Sequence, residues 1–405
     1  MGIIWSKIVR TGKFICFVLS KANFVFEPIK PFFVTLLQMN MIKKPSIALV
    51  LLFGCFTIAS CKKDNDTPEP IPTPSEPVEE SMYFPSNMDS NWETTALASL
   101  DWSQDSIQTL LDFLDQSNTK SFMILVNGRI AMEEYFDDHS ATSSWQWNSA
   151  GKTLVSASVG IAQSEGFLNI NDQVNQYLGP GWTSAPQEKE DLITNFHLLT
   201  MTSGLEDANL VIPSNLTYVA DAGTRWSYSN VFQKLMDVVG QSTNQEFESY
   251  FNAKLKDRIG MDGFWDNGLL FKIYNSTTRS MARYGLLALN NGRWNDEQIL
   301  NPDYFYDCKN TSQNINPSYG YFWWLNGKPS YMVPGGQTVY PGYLVPNAPA
   351  DMYAAMGAED NRIYVVPSLN MVVIRMGEAS DPLNPTFALS GFDNDLWGKI
   401  NAVIQ

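Results

Sequence analysis

Two short patterns set reactive side chains at useful spacings: Ser149-Ala-Gly-Lys152 and, further along, Tyr228-Ser-Asn230. A serine hydroxyl is a weak nucleophile near neutral pH until a base takes its proton. The chain has only two histidines, His139 and His197, so the amine of Lys152 is the candidate base. Lysine can serve if burial draws its pKa down from about 10.4. Residues i and i+3 of a helix share a face, which brings Ser149 and Lys152 into reach of one another. Tyr228 adds a phenol that can share the proton transfer, and the sequence leaves open which of Lys152 and Tyr228 is the base.

The setting selects among copies of these patterns. S-x-x-K also occurs at Ser60–Lys63, beside an apolar leader, and at Ser117–Lys120, in a polar turn ahead of a strand. Only Ser149 opens a long small-and-apolar run, Lys152-Thr-Leu-Val-Ser-Ala-Ser-Val-Gly-Ile-Ala162. As a helix this run would bury the lysine and place the serine at an N-terminus, where N–H groups favour developing negative charge. The plain alternative is a capping serine followed by an exposed lysine. Y-x-N recurs at Tyr250–Asn252 inside a helical run, whereas Tyr228–Asn230 follows the turn-like Gly223-Thr-Arg-Trp-Ser227.

Taken with Leu198-Leu-Thr-Met-Thr-Ser-Gly-Leu205, Thr277–Trp294 and the hairpin-like Asn361–Arg375, these stretches resemble the serine β-lactamase-related superfamily. The resemblance is to its class C β-lactamase, esterase and 6-aminohexanoate-dimer hydrolase branch, and it covers residues 95–405. It implies an acyl-enzyme formed on Ser149, with Lys152 and Tyr228 moving the proton and Asn230 hydrogen-bonding Lys152 or the substrate amide. One oxyanion donor would be the backbone N–H of Ser149. The family's second donor lies near a Lys-Thr-Gly or His-x-Gly motif, and neither occurs here. The matching stretch is Ala355-Met-Gly-Ala358, which implies the N–H of Ala358, with Gly357 allowing close backbone approach. Ala355 or Met356 then stands where the family carries a base, so substrates anchored by a carboxylate lose a contact; Arg362 is the residue that could compensate. A less charged ester or amide is the expected substrate. A D-alanyl-D-alanine peptidase, a β-lactamase and a catalytically silent binding homologue are the alternatives.

Other candidates carry less. No G-x-S-x-G elbow exists to support a Ser–His mechanism. His139 follows Asp137-Asp138 in a polar loop and reads as solvated, and His197 reads as structural. Among the tryptophans, most read as core; Trp226, next to the second motif, is expected at the substrate. Cys308 has no histidine neighbour and reads as structural. Two histidines and few thiols argue against a zinc site, and no cofactor is implied.

The 405 residues are 44% hydrophobic and 13% aromatic, enough for a large core. Residues 1–60 carry seven Lys or Arg and one acidic residue, leaving 20 basic against 41 acidic residues beyond them. Such an acidic chain lacks the basic footprint of a nucleic-acid binder. Met41-Ile-Lys-Lys44, an apolar stretch and Ile58-Ala-Ser-Cys61 have the shape of a secretory signal too short to span a membrane. The expectation is an exported bacterial lipoprotein of the cell envelope. Residues 1–60 are its leader (true start at Met39 or Met41), and Cys61 carries the lipid that tethers it to a membrane. After processing only Cys308 remains, so no intrachain disulfide can form. Residues 61–94, rich in Pro and Glu over 67–80, read as an extended tether.

The order of elements predicts an α/β (α+β) fold. A helix over Leu100–Ser117 precedes a hairpin around Asn127-Gly128. Helices dominate the middle, strands return at Tyr319–Leu325, Met352–Met356, Ile363–Val366 and Met371–Met376, and a helix from Asp393 to Ile404 closes the chain. Strands at both ends imply one antiparallel sheet flanked by helices, with a mainly helical subdomain inserted between. The cleft would lie between the two.

Overall fold

The computed structural model describes residues 81–207, 210–267, 271–383 and 389–404. The expected leader, Cys61 and the tether up to residue 80 lie outside the described residues. Thr119–Val126 (β1) and Arg129–Tyr135 (β2) form the hairpin around Asn127-Gly128, whose φ values of 48° and 80° are those of a tight I′ turn. Trp324–Leu325 (β3), Tyr353–Met356 (β4), Arg362–Val366 (β5) and Met371–Gly377 (β6) complete one six-stranded sheet in the order β2-β1-β6-β5-β4-β3. All neighbouring pairs are antiparallel, and β6 from the C-terminal part pairs directly with β1 from the N-terminal part. The sheet is therefore built from both ends of the described chain, as expected.

The helices used below are Gln104–Gln116 (α1), Lys152–Ser164 (α2), Asn195–Leu199 (α3), Lys234–Thr243 (α4), Thr278–Leu289 (α5) and Gly391–Ile404 (α6). Strand alternation assigns the two faces of the sheet. Val372, Ile374 and Ile363 meet Gly285 of α5 on one side. On the other, Tyr364 packs edge-on against Trp397 of α6, and the Arg375 guanidinium lies 5.1 Å from the Phe392 ring. With both faces covered, every residue of β5 and β6 is buried, which is why these strands read as near-continuous apolar runs.

Between Tyr135 and Thr278 the chain forms short helices and a small sheet of Trp145–Gln146, Lys272–Ser276 and Phe264–Asn267, which the sequence did not announce. Two further expectations are corrected. The segment Tyr319–Leu325 is not one strand: Tyr319 bridges Trp324 across a tight reversal in which Phe322 takes φ 67°. Residues 83–94 do not extend as tether. Tyr83 N–H bonds Asn127 O, Trp92 Nε1 donates to Gly128 O, and Thr94 bridges Ile130, so this strip caps the hairpin turn. Within it Tyr83 and Phe84 are half-buried and Trp92 is buried. Among the described residues no helix is long and apolar enough to cross a membrane.

Candidate active site

Ser149 sits in a single 3₁₀ turn, Asn148–Gly151, that runs into α2 at Lys152. Helix α2 is buried on all sides from Lys152 to Ala162, as a helix of small and apolar residues must be. The turn is anchored by Trp147, whose N–H bonds Tyr274 O and whose indole N–H bonds Ser276 Oγ at 2.8 Å. Asn148 takes φ 50°, a sparsely populated conformation immediately before the serine.

The buried helix carries Lys152 with it. The side chain is 3% exposed, and its Nζ donates to Ser149 Oγ at 2.7 Å. Among the described residues no carboxylate pairs with it. Instead the amine lies 4.7 Å from the Tyr228 ring centroid and 4.5 Å from that of Phe232. Burial without a counter-charge disfavours the ammonium and draws its pKa down to about 7. Ser149 itself is only half-buried and so stays reachable.

Tyr228 reaches the same point from a different part of the chain. Asp207 ties down its approach, pairing with Arg225 at 3.0 Å and hydrogen-bonding the Ser227 hydroxyl. Gly223 N–H bonds Thr202 O and Ser227 N–H bonds Met201 O, so the Leu198–Leu205 stretch lies alongside the Tyr228 segment. Burial holds the phenol's pKa well above the usual range, opposed by its interaction with Ser149 and by the charge of Arg362. With the Lys152 amine bonded to Ser149 Oγ and 4.7 Å from the Tyr228 ring, the two family-like motifs meet at one site.

The end of β4 closes the site from a third direction. A Cβ on Gly357 would lie 2.3 Å from Trp147 O and 3.1 Å from Ala150 N, so only glycine lets this strand end rest against the Ser149 turn. The N–H groups of Ser149 and Ala358 have no hydrogen-bond acceptor among the described residues. Asn148 Nδ2 donates to Ala358 O at 3.0 Å, and Gln146 Nε2 to Glu359 Oε2 at 2.5 Å, stitching the two segments together.

The beta-lactamase family profile matches residues 112–376, most of the chain. The chain belongs to the beta-lactamase family. Solved structures agree in fold. A candidate beta-lactamase from Bacteroides dorei is 15% identical with a TM-score of 0.58, covering 74% of this chain and 98% of its own. A candidate 6-aminohexanoate-dimer hydrolase from Bacillus anthracis is 16% identical with a TM-score of 0.58, covering 80% and 89%. EstCE1, a hydrolase with promiscuous acyltransferase activity, is 13% identical with a TM-score of 0.53, covering 76% and 99%. At such identities the likeness is one of fold. Comparison with curated proteins gives no match. Membership of the family supports a serine-hydrolase type of function.

Within this beta-lactamase-family frame several expected roles change. Arg362 cannot anchor a substrate carboxylate: it is fully buried, with Nε 2.6 Å from Asp393 and Nη2 2.9 Å from Asp360. Trp226 does not line a cleft. It is 0% exposed and packs tilted against Tyr228 and edge-on to Tyr319 and Trp324, supporting the phenol as part of an aromatic cluster. Asn230 is half-buried at the start of a 3₁₀ turn capped by Ser229, two residues from Tyr228. His139 is only partly solvated. It is wedged between Tyr135 and Trp145 with Nε2 buried and unpaired, and burial lowers its pKa. His197 closes a capping box with Thr194 at the start of α3. Cys308 is buried beside Ser156, and burial pushes its thiol up to about 12, so it is inert. At the decoy S-x-x-K, Ser117 ends α1 and Lys120 pairs with Asp137 at the surface. Sequence reading missed Phe232, Tyr319 and Trp324 around Lys152 and Tyr228. Phe232 lies four residues after Tyr228, the one local hint; the others arrive through the tertiary fold.

Proposed function

We propose that this protein is a serine hydrolase that cleaves esters or amides without a free carboxylate at the recognition end, through an acyl-enzyme on Ser149. The observation that carries this reading is the buried Lys152 amine 2.7 Å from Ser149 Oγ. With its pKa drawn down to about 7, a large share of the amine is neutral at neutral pH and can accept the hydroxyl proton as Oγ attacks the carbonyl carbon. Tyr228, whose pKa is raised, is protonated there and acts as relay and acid. It hands a proton to the leaving alcohol or amine as the carbon–heteroatom bond breaks and is reprotonated from Lys152. Water, deprotonated by the same pair, attacks the acyl carbon and Ser149 Oγ leaves with a proton. The N–H groups of Ser149 and Ala358 face the developing oxyanion, a contribution typically of about 3–4 kcal/mol per donor.

The substrate preference follows from what the third segment lacks. Ala355 and Met356 are buried apolar residues and Arg362 is held by two aspartates, so neither offers a cation to a β-lactam or peptide carboxylate. The test is covalent labelling with a fluorophosphonate together with hydrolysis of p-nitrophenyl acetate. Ser149→Ala and Lys152→Ala abolish both, while His139→Ala stays within about twofold of wild type, lying outside the proton path. An active Lys152→Ala variant would sink the mechanism, and efficient labelling of Ser149 by a fluorescent penicillin would move the reading to a cell-wall peptidase. We further infer, from the leader sequence alone, export and lipid attachment at Cys61.

A further inference from the structure

On the sheet face beneath α6, Arg362 of β5 lies directly opposite Arg375 of β6, and both are fully buried. Two like charges facing each other inside a protein are unfavourable, and burying each is costly unless fully hydrogen-bonded. Apolar residues would cover this face at less cost, so the arginines call for a role. Arg375 is spent on the carbonyls of Ser117, Glu359 and Glu378. Arg362 is gripped by Asp393 through Nε at 2.6 Å and Nη2 at 3.0 Å, and by Asp360 through Nη2 at 2.9 Å. These carboxylates are held in turn, Asp393 by the Tyr364 hydroxyl at 2.6 Å and Asp360 by the hydroxyls of Ser380 and Ser390 at 2.7 and 2.8 Å. Orientation of the guanidinium is thus fixed from behind.

Its front nitrogen, Nη1, donates to Gly357 O at 2.5 Å. A trans peptide is planar, with its C=O and N–H pointing in opposite directions. Holding the Gly357 carbonyl toward the sheet therefore turns the Ala358 N–H the other way. The next carbonyl, Ala358 O, is held by Asn148 Nδ2 at 3.0 Å and Asn361 Nδ2 at 2.9 Å. Both carbonyls flanking the Ala358 N–H are fixed, one from the buried ion cluster and one from the residue preceding the nucleophile.

We propose that Arg362 is a positioning residue. It locks the Gly357–Ala358 peptide so that the Ala358 N–H is preset for the oxyanion, and Asn148 couples that peptide to the Ser149 turn. The proposal rests on the reading of Ala358 as an oxyanion donor. Arg362→Lys keeps a charge for the aspartates but replaces the planar fork by a single point donor that cannot span Asp393 and Gly357 O together. Asn148→Gly removes the tie between Ala358 O and the Ser149 turn, leaving Asn361 as the one side-chain donor of the two to that carbonyl, while tolerating the φ of 50° at that position. The full-length protein is titrated to completion with a fluorophosphonate, and kcat for p-nitrophenyl acetate is expressed per labelled Ser149.

Both variants are expected to lose roughly 10- to 100-fold in kcat per labelled site, in keeping with a misplaced oxyanion donor. KM should stay within about twofold, and the midpoint of the pH profile, set by Lys152, should not move. A purely architectural role would reduce the number of labelled sites or the melting temperature and leave kcat per site unchanged, and that result overturns the proposal. Should Arg362→Lys fail to fold, Asn148→Gly decides alone. Wild-type protein that does not label at Ser149 overturns the active-site reading and this proposal with it; normal labelling with unaltered kcat in the variants overturns this proposal only.

Discussion

The chemistry of the site depends on an amine that is costly to bury. Lys152 has lost water and gained only a hydroxyl and two aromatic faces, so its ammonium is destabilised and its pKa falls to about 7. The proposed mechanism requires the neutral amine, so kcat/KM for a neutral ester should rise with pH along a single limb with its midpoint near 7 and level off above it. A limb centred near 10 would mean that the amine is solvated in the working enzyme. The same titration has a stability signature. Between about 7 and 10.4 the unfolded chain binds a proton at Lys152 that the folded chain does not, so stability rises with pH across that window. Lys152→Met removes the penalty. The variant should be inactive yet melt higher than wild type at pH 7, with the gap narrowing as pH approaches 10 in a series of thermal melts.

Three elements meet at Ser149, and each is held by a local feature. The 3₁₀ turn ahead of α2 is pinned by Trp147, the Tyr228 segment by Asp207, and the end of β4 by Gly357. Gly357 has φ −115°, which any residue can adopt, so an alanine there would ordinarily stabilise by stiffening the unfolded chain. Here its Cβ meets the Trp147 carbonyl at 2.3 Å, and backbone cannot swing aside as a side chain can. Gly357→Ala is therefore expected to push β4 from the nucleophile turn, costing at least about 100-fold in kcat/KM and lowering the melting temperature. Unchanged kinetics in this variant would show that the strand end takes no part in the reaction.

For the molecule as a whole, the sheet that unites both ends of the described chain decides where the site lies. β6 pairs with β1, so Thr119 and Gly377 are partners although they lie far apart in sequence. The same closure brings β4 and β5, with Gly357 and Arg362, to the turn that follows β2. Outside the described residues, the proposed leader over residues 1–60, followed by Cys61, predicts a lipid-modified protein. Wild type should fractionate with membranes and incorporate labelled palmitate in a bacterial host, whereas Cys61→Ser should lose the label. A soluble, unlabelled wild-type protein would remove the lipid anchor from the account.

The hairpin at Asn127-Gly128, helix α2 and strands β5 and β6 were legible in the sequence because each is specified by local spacing and turn chemistry, whereas α5 was legible only through the family resemblance of Thr277–Trp294. So was the pairing of Ser149 with Lys152, since three residues along one turn dictate contact. The Tyr228 phenol was legible as a motif, but its meeting with Ser149 needed the fold. What the sequence could not give was how side chains far apart in the chain partition once buried. Trp226 looked like a cleft residue by adjacency, yet packing placed it behind the phenol. Arg362 looked like a free cation, yet strand alternation turned it beneath α6 onto Asp393. Residue types and short spacings thus determined the candidate nucleophile, its candidate bases and the sheet-plus-helix plan. Only the tertiary structure decided the depth at which Lys152 is buried, and hence its basicity, and the orientation of the Ala358 amide, because solvation and long-range hydrogen bonding belong to the assembled fold and to no local stretch of chain.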